Sequence, residues 1–284
     1  MSELKTNKVS PATGTALSVG DSGDTITVPS GATFTVSGTM NASSITAGTV
    51  ATARLGSGTA DATTFLRGDQ SYAAPSAGGG FNSIQVFTAS GSWTRPADIT
   101  KVIVHVVGGG AGGGGGRSGY NYSGSGGGAG GNALKVLDVS SISTSTITIG
   151  AAGAGGAIDT IGSAGGNSSW ADGTTTITCN GGVGGTISGG GTNAAGGTAT
   201  GGDINAQGGP GETNARNDAT TTAKKSGTGG VSGSGFGGPG GGAYSGSSTD
   251  ENDASGYGHG GAGGYINNVG GAGAGGLIWV EEYK

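Results

Sequence analysis

The sequence predicts a mostly β and irregular chain with almost no α-helix. A thin N-terminal fibrous β stalk is followed by a small β-scaffold that carries packed glycine-rich helices. Three observations lead there. Glycine supplies 72 of 284 residues, roughly a quarter where about 7% is ordinary. The densest glycine, Gly108 to Gly276, is framed by two strong strand patterns, Lys101–Val107 and Leu277–Glu281. Its interruptions carry Trp, Tyr, Phe, Ile and Val, and its charge is low, so the tract does not read as a flexible Gly/Ser linker. Backbones without Cβ atoms approach closely. Each segment is expected to take the extended left-handed helix of three residues per turn and to hydrogen-bond sideways to its neighbours. The entropy lost by ordering glycine is large, and lateral bonding plus burial of the aromatics must offset it.

In chain order, residues 1–44 read as short strands and turns. Thr25–Pro29 and Thr33–Ser37 alternate polar and apolar residues, with turn chemistry at Gly20–Asp24 and Pro29–Gly31. So thin a face buries little alone and is expected to stack on identical copies. Residues 45–80, rich in Gly, Ala and Thr, read as a fibrous shaft ending in a hinge, Ala73–Gly80. The unit 81–284 opens with the strand Ser83–Thr88, then a turn with an aromatic anchor, Ser90–Pro96. Further strands are expected at Ala133–Leu137 and Thr146–Ile149. Asn167–Trp170, a turn at Asp172-Gly173 and Thr174–Cys179 read as a hairpin.

Composition narrows function. A net charge of −5 disfavours a nucleic-acid partner, which wants a basic face. One cysteine excludes an internal disulfide and a cysteine-based zinc cluster. No apolar run is long enough for membrane insertion, and the first residues lack the apolar core of a secretory signal. Two histidines leave little for acid–base or metal chemistry. The plentiful Gly-Xaa-Gly-Xaa-Xaa-Gly spacings lack the following helix that phosphate binding requires. No cofactor and no metal is therefore expected. Arg67-Gly68-Asp69 is read as part of the shaft end. Asp250–Asp253 fits no calcium-loop spacing and reads as a solvated acidic loop. His105 reads as a packed or edge histidine, and Cys179 as a small buried hydrophobe.

Candidate binding residues lie in the interruptions of the glycine tract. They are Tyr120, Asn121 and Tyr122; Asn214, Arg216 and Lys224; Tyr244, Asp250, Asp253, Tyr257 and His259; and Tyr265 with Asn267. Tyrosine offers flat area at small entropic cost, and asparagine adapts its hydrogen bonds, as on antibody loops. Loops of this kind on a rigid support form a recognition surface.

Several stretches carry a family resemblance. Phe87–Pro96, Val102–Val107, Gly108–Gly116, Gly165–Trp170 and the closing glycine-rich strand resemble the glycine-rich domain of phage tail fibre proteins. The tract is similar to the tip adhesin of T-even-like phage long tail fibres, which packs polyglycine II helices and reads the host with the loops between them. Ile45–Leu55 and Thr64–Tyr72 resemble repeats that end trimeric tail-fibre shafts. Residues 1–37 resemble N-terminal segments of marine-phage fibre proteins. The resemblance implies a receptor-binding adhesin of the virion, made in the host cytoplasm, homotrimeric through its stalk and joined to other tail proteins by its N-terminus. Its partner would be a bacterial surface receptor, glycan or outer-membrane protein, and no catalysis is implied. Unlike the tip adhesin, shaft-like and glycine-rich parts share one chain here, which would hold three glycine-rich domains together. Two alternatives compete with this reading. An ice-binding or other structural polyglycine protein wants flat, regular faces. A fibre-borne glycan depolymerase wants paired carboxylates, for which Asp250, Glu251 and Asp253 are the dense candidates.

Overall fold

The computed structural model describes residues 13–14, 19, 21–25, 27–33, 35, 37, 51, 54–75, 79–119, 122–187, 193–213, 226–233, 240–241 and 253–284. Among them there is no α-helix. The chain divides into two compact units, Met1–Pro75 and Ser76–Lys284. The division falls inside the expected hinge, Ala73–Gly80.

In the first unit the expected turns form: Asp24 N–H donates to Asp21 O and Ala32 N–H to Pro29 O, both at 3.0 Å. The strands expected at Thr25–Pro29 and Thr33–Ser37 do not form among the described residues there. Every described residue of those stretches is exposed, so no face among the described residues stabilises a strand. A small antiparallel pair follows, β1 (Phe65–Leu66) with β2 (Tyr72–Ala73). Arg67-Gly68-Asp69 occupies its connection, where Gln70 N–H closes a turn on Arg67 O at 3.0 Å. The Asp69 carboxylate accepts from Ser71 N–H and Oγ–H, a role internal to the turn.

The second unit is built on a two-sheet sandwich. One sheet runs in the order β11 (Ile204–Ala206), β6 (Asn132–Asp138), β5 (Lys101–Val107), β12 (Leu277–Tyr283), β3 (Phe81–Phe87). The other runs β10 (Ala199–Thr200), β9 (Thr176–Cys179), β8 (Ser168–Ala171), β7 (Thr144–Thr148), β4 (Gly91–Thr94). All pairings are antiparallel. Alternation decides what faces inward: Val102, Val104 and Val106 of β5 and Ile278 and Val280 of β12 meet Ile147, Trp170 and Ile177 of the opposite sheet. Trp93 and Trp170 pack with ring centroids 5.2 Å apart. Gly91–Thr94, expected as a turn, is a strand, because the anchoring Trp93 is completely buried and its neighbours pair with β7. The buried Glu282 carboxylate accepts from Trp93 Nε1–H at 2.8 Å, Gln85 Nε2–H at 2.6 Å and Ser83 Oγ–H at 2.5 Å. These bonds tie β12, β3 and β4 together at one corner.

At one end of the sandwich, strands run directly into glycine. β5 exits into Gly108, β7 into Gly150, β9 into Asn180-Gly181 and β11 into Gln207-Gly208. β6, β8, β10 and β12 are entered from Gly131, Asn167, Thr198 and Gly276 at that same end. The glycine segments therefore continue the strand directions as one block. Its centre is the segment Gly108–Gly116, whose nine N–H groups all donate to backbone carbonyls at 2.8–3.0 Å. The partners rotate with a period of three. Residues 108, 111 and 114 reach 131, 128 and 125; residues 109, 112 and 115 reach 166, 163 and 160; residues 110, 113 and 116 reach 274, 271 and 268. Three further segments donate back to its carbonyls: Gly153, Gly156 and Asp159; Gly182 and Gly185; Gly261 and Gly264. One segment thus has six hydrogen-bonded neighbours, and peptide groups that burial would orphan are satisfied laterally. The spacing leaves no room for side chains. A Cβ built on Gly113 would lie 1.8 Å from Ala262 O, and one on Gly110 1.8 Å from His259 O. The glycines are packed, as expected.

Candidate functional site

The far end of the block, away from the sandwich, gathers three turns around Gly116. The first joins Gly108–Gly116 to the return segment 122–131, and Arg117 N–H donates to Tyr122 O at 2.9 Å. The second is Ala157–Thr160, where Thr160 N–H donates to Ala157 O at 2.9 Å and Asp159 N–H reaches Gly116 O at 3.1 Å. The third is Tyr265–Asn268, closed by Asn268 N–H on Tyr265 O at 2.7 Å; Gly116 N–H in turn donates to Asn268 O at 2.8 Å. The first two turns are clamped together, since the Asp159 carboxylate accepts from Ser118 N–H at 2.9 Å and from Ser118 Oγ–H. Those bonds hold its carboxyl below the usual range. Asp159 and Asn267 have φ of +61° and +58°, the left-handed region that Asp and Asn tolerate best among non-glycine residues.

Of the expected binding residues, Tyr122, Tyr265 and Asn267 belong to this cluster. Tyr122 and Tyr265 are partly buried and Asn267 is exposed. Tyr120, Asn121, Asn214, Arg216, Lys224, Tyr244 and Asp250 lie outside the described residues. The remaining three are elsewhere. Asp253 sits beside the side of the block, its Oδ1 accepting from Ala272 N–H at 2.7 Å. Tyr257 packs at the sandwich end against Val107, Leu277 and Trp279. His259 is completely buried, its Nδ1 accepting from Ser232 N–H at 3.3 Å, and burial lowers its pKa. It is an internal residue of the block. Its flanking glycines belong to the packed segment and carry it inside.

Two exposed residues of the tip were absent from the sequence expectations, Ile158 and Asp159. The signal was present: Ala157-Ile-Asp-Thr-Ile161 interrupts the glycine as the tyrosine-bearing stretches do. His105 packs on its strand as expected. It stacks on Trp279 at 4.1 Å with rings 11° apart, and its Nε2 lies 3.3 Å from Glu281 Oε1. Cys179 is buried as expected, its thiol donating to Val106 O at 3.2 Å and pushed up to about 12 by desolvation. Among the described residues no group of three or more His, Cys, Asp or Glu side chains is placed to hold a metal ion.

A search of curated proteins found no match. The model of a glycine-rich domain family matches residues 85–283, from β3 through the glycine block to the penultimate residue. By that match, the chain belongs to the glycine-rich domain family.

Proposed function

We propose that this chain is the receptor-binding protein of a phage tail fibre, an adhesin that reads a bacterial surface glycan or outer-membrane protein. In this reading the glycine segments are polyglycine II helices. Their three-residue rotation of hydrogen bonds supports that assignment. The N-terminal unit is a trimeric stalk attached to other tail proteins. The block is a stiff support, and the turns at its far end are the reading surface. No reaction is assigned to it.

One observation carries the proposal: turns 117–122, 157–160 and 265–268, far apart in sequence, are fastened to each other around Gly116. The positive φ at position 267 accounts for an asparagine there, but a packed block has no structural need for Tyr at its end, whereas recognition uses it. Repeated copies on a virion would raise weak single contacts to useful avidity. The test uses fluorescently labelled full-length protein on a panel of bacterial strains, taking forward a strain that binds. The double variant Tyr265→Ala with Asn267→Gly keeps the turn, since glycine accepts its positive φ. Cell binding should fall at least tenfold with an unchanged melting temperature. Binding equal to wild type by this variant would refute the tip as reader.

A further inference from the structure

The outer face of the β3-containing sheet is apolar from edge to edge. Register places Val86, Trp279, His105, Leu134 and Ile204 in one row across all five strands. The next row is Ile84, Glu281, Ile103 and Val136. Ile84 is 52% exposed, Val86 59%, Val136 52% and Ile204 62%. Such alternation normally puts polar residues on a solvated face, and monomers seldom leave contiguous apolar patches open. The face is also uneven. Near the β6–β11 edge it holds a concavity of about 390 Å³ bordered by His105, Leu134, Ile204, Ala206 and Trp279. At the β3 edge it presents Ile84 and Val86.

We propose that a second copy of this chain covers this face, head to tail, with Ile84 and Val86 of one copy entering the concavity of the next. The inference rests on the reading of the chain as a multi-copy fibre and names the contact between its glycine-rich units. Three observations favour a second copy as the occupant. The chain enters this unit through the β3 edge, so whatever gathers the preceding residues also gathers these faces. Those residues are in need of gathering: no described residue up to Pro75 is buried, and Phe65 and Leu66 stand 63% and 46% exposed. The face is also nearly free of charge. Along the two rows Glu281 is the one carboxylate, 3.3 Å from the His105 ring, and in the row beyond them Lys101 stands opposite Asp138, so chains of net charge −5 meet there with little repulsion. A head-to-tail contact either closes a ring or grows a filament; a fibre of three copies requires the ring.

Disulfide trapping tests this in the full chain. Val86 and Ile204 lie at opposite edges of one five-stranded sheet, about 19 Å apart at roughly 4.8 Å per strand, too far for an internal disulfide. The native Cys179 is buried and does not interfere. The variant Val86→Cys with Ile204→Cys, oxidised mildly and run without reductant, should form covalent dimers and trimers and stop there. Each single variant should give no covalent oligomer. Light scattering of the wild type separates the possible failures. A wild-type trimer whose double variant gives no covalent species overturns this face and leaves the fibre reading intact. A wild-type monomer near 26.4 kDa overturns both. A ladder running past three overturns the ring.

Discussion

Replacing Gly113 by alanine adds one methyl group at the centre of the block. It would sit 1.8 Å from Ala262 O, 2.3 Å from Ala262 C and 2.7 Å from Gly263 N. All are backbone atoms, so no side chain can rotate away. Relief to an ordinary contact near 3.4 Å needs roughly 1.5 Å of segment movement, more than a hydrogen bond tolerates. The bonds at stake are Gly113 N–H to Gly271 O, Gly156 N–H to Gly113 O and Gly271 N–H to Ala262 O, each 2.8–2.9 Å. At about 1 kcal/mol apiece, with overpacking strain of about 1–3 kcal/mol added, the expected loss is about 4–6 kcal/mol. For a unit of this size that lowers the melting temperature by roughly 8–24 °C. The control is Gly91→Ala, where a new Cβ meets nothing within 4 Å and φ is not positive. It should be neutral or stabilise by about 0.4–1 kcal/mol through the unfolded chain. Differential scanning calorimetry reads both. If Gly113→Ala melted with the wild type while circular dichroism matched, the block would not be close-packed backbone.

Two further perturbations address the scaffold. Glu282→Leu removes the acceptor shared by Trp93, Gln85 and Ser83 and leaves a buried indole N–H without a partner. It should cost about 2–4 kcal/mol, read as a lower urea midpoint with an unchanged slope; an unchanged midpoint would show the carboxylate to be dispensable. Acidification acts through the histidines. Burial holds the folded pKa of His259 below the ordinary 6.5, with no acid opposing it, and lowers that of His105 against the pull of Glu281. The unfolded chain then binds the extra protons, so stability is full above about pH 6.5 and declines below it, by at most about 1.4 kcal/mol per pH unit per group. Melting temperatures from pH 8 to 5 should fall in the wild type and fall less steeply in His259→Gln; a flat wild-type profile would refute the assignment.

The strands with strong alternation were legible from the sequence, and so was the packing of the glycine. Lys101–Val107 and the hairpin around Asp172-Gly173 formed where β-branched residues and turn chemistry placed them. The short strands at Ala199–Thr200 and Ile204–Ala206 were not legible. Two or three residues carry no period, and these pair only because the neighbouring edges of β9 and β6 are already built. Thr25–Pro29 failed in the opposite way: it has the period, but among the described residues nothing buries it. At the site, loop composition picked out stretches that include Tyr122, Tyr265 and Asn267, which the fold gathers at one end of the block. It could not tell which end of the block each interruption would reach, which is why Tyr257 and His259 were grouped with them. That depends on whether a segment leaves the sandwich or returns to it, and the sequence does not mark the direction.

The number of neighbours around a segment explains where side chains are allowed, and so why large ones are confined to the margins and the reversals. Gly108–Gly116, with six hydrogen-bonded neighbours, contains nothing larger than Ala111. The return segment 123–131, also surrounded, contains only Gly, Ser and Ala. Segments at the margin obey a looser rule. In 150–157, Gly150, Gly153 and Gly156 are buried while Ala151, Ala152, Ala154 and Ala157 are exposed. Gly182 and Gly185 likewise flank the exposed Val183, and Gly208 and Gly211 the exposed Pro210. With three residues per turn, only every third one faces the block, so a marginal segment needs glycine at that spacing alone. A new side chain within the block meets backbone, and on its margin it meets solvent beside a regular wall. Only where a segment reverses do consecutive residues escape the three-residue constraint. Sequence change can accumulate in those reversals at little cost to the block's stability, and one set of them is held together at a single end by Asp159 and Gly116.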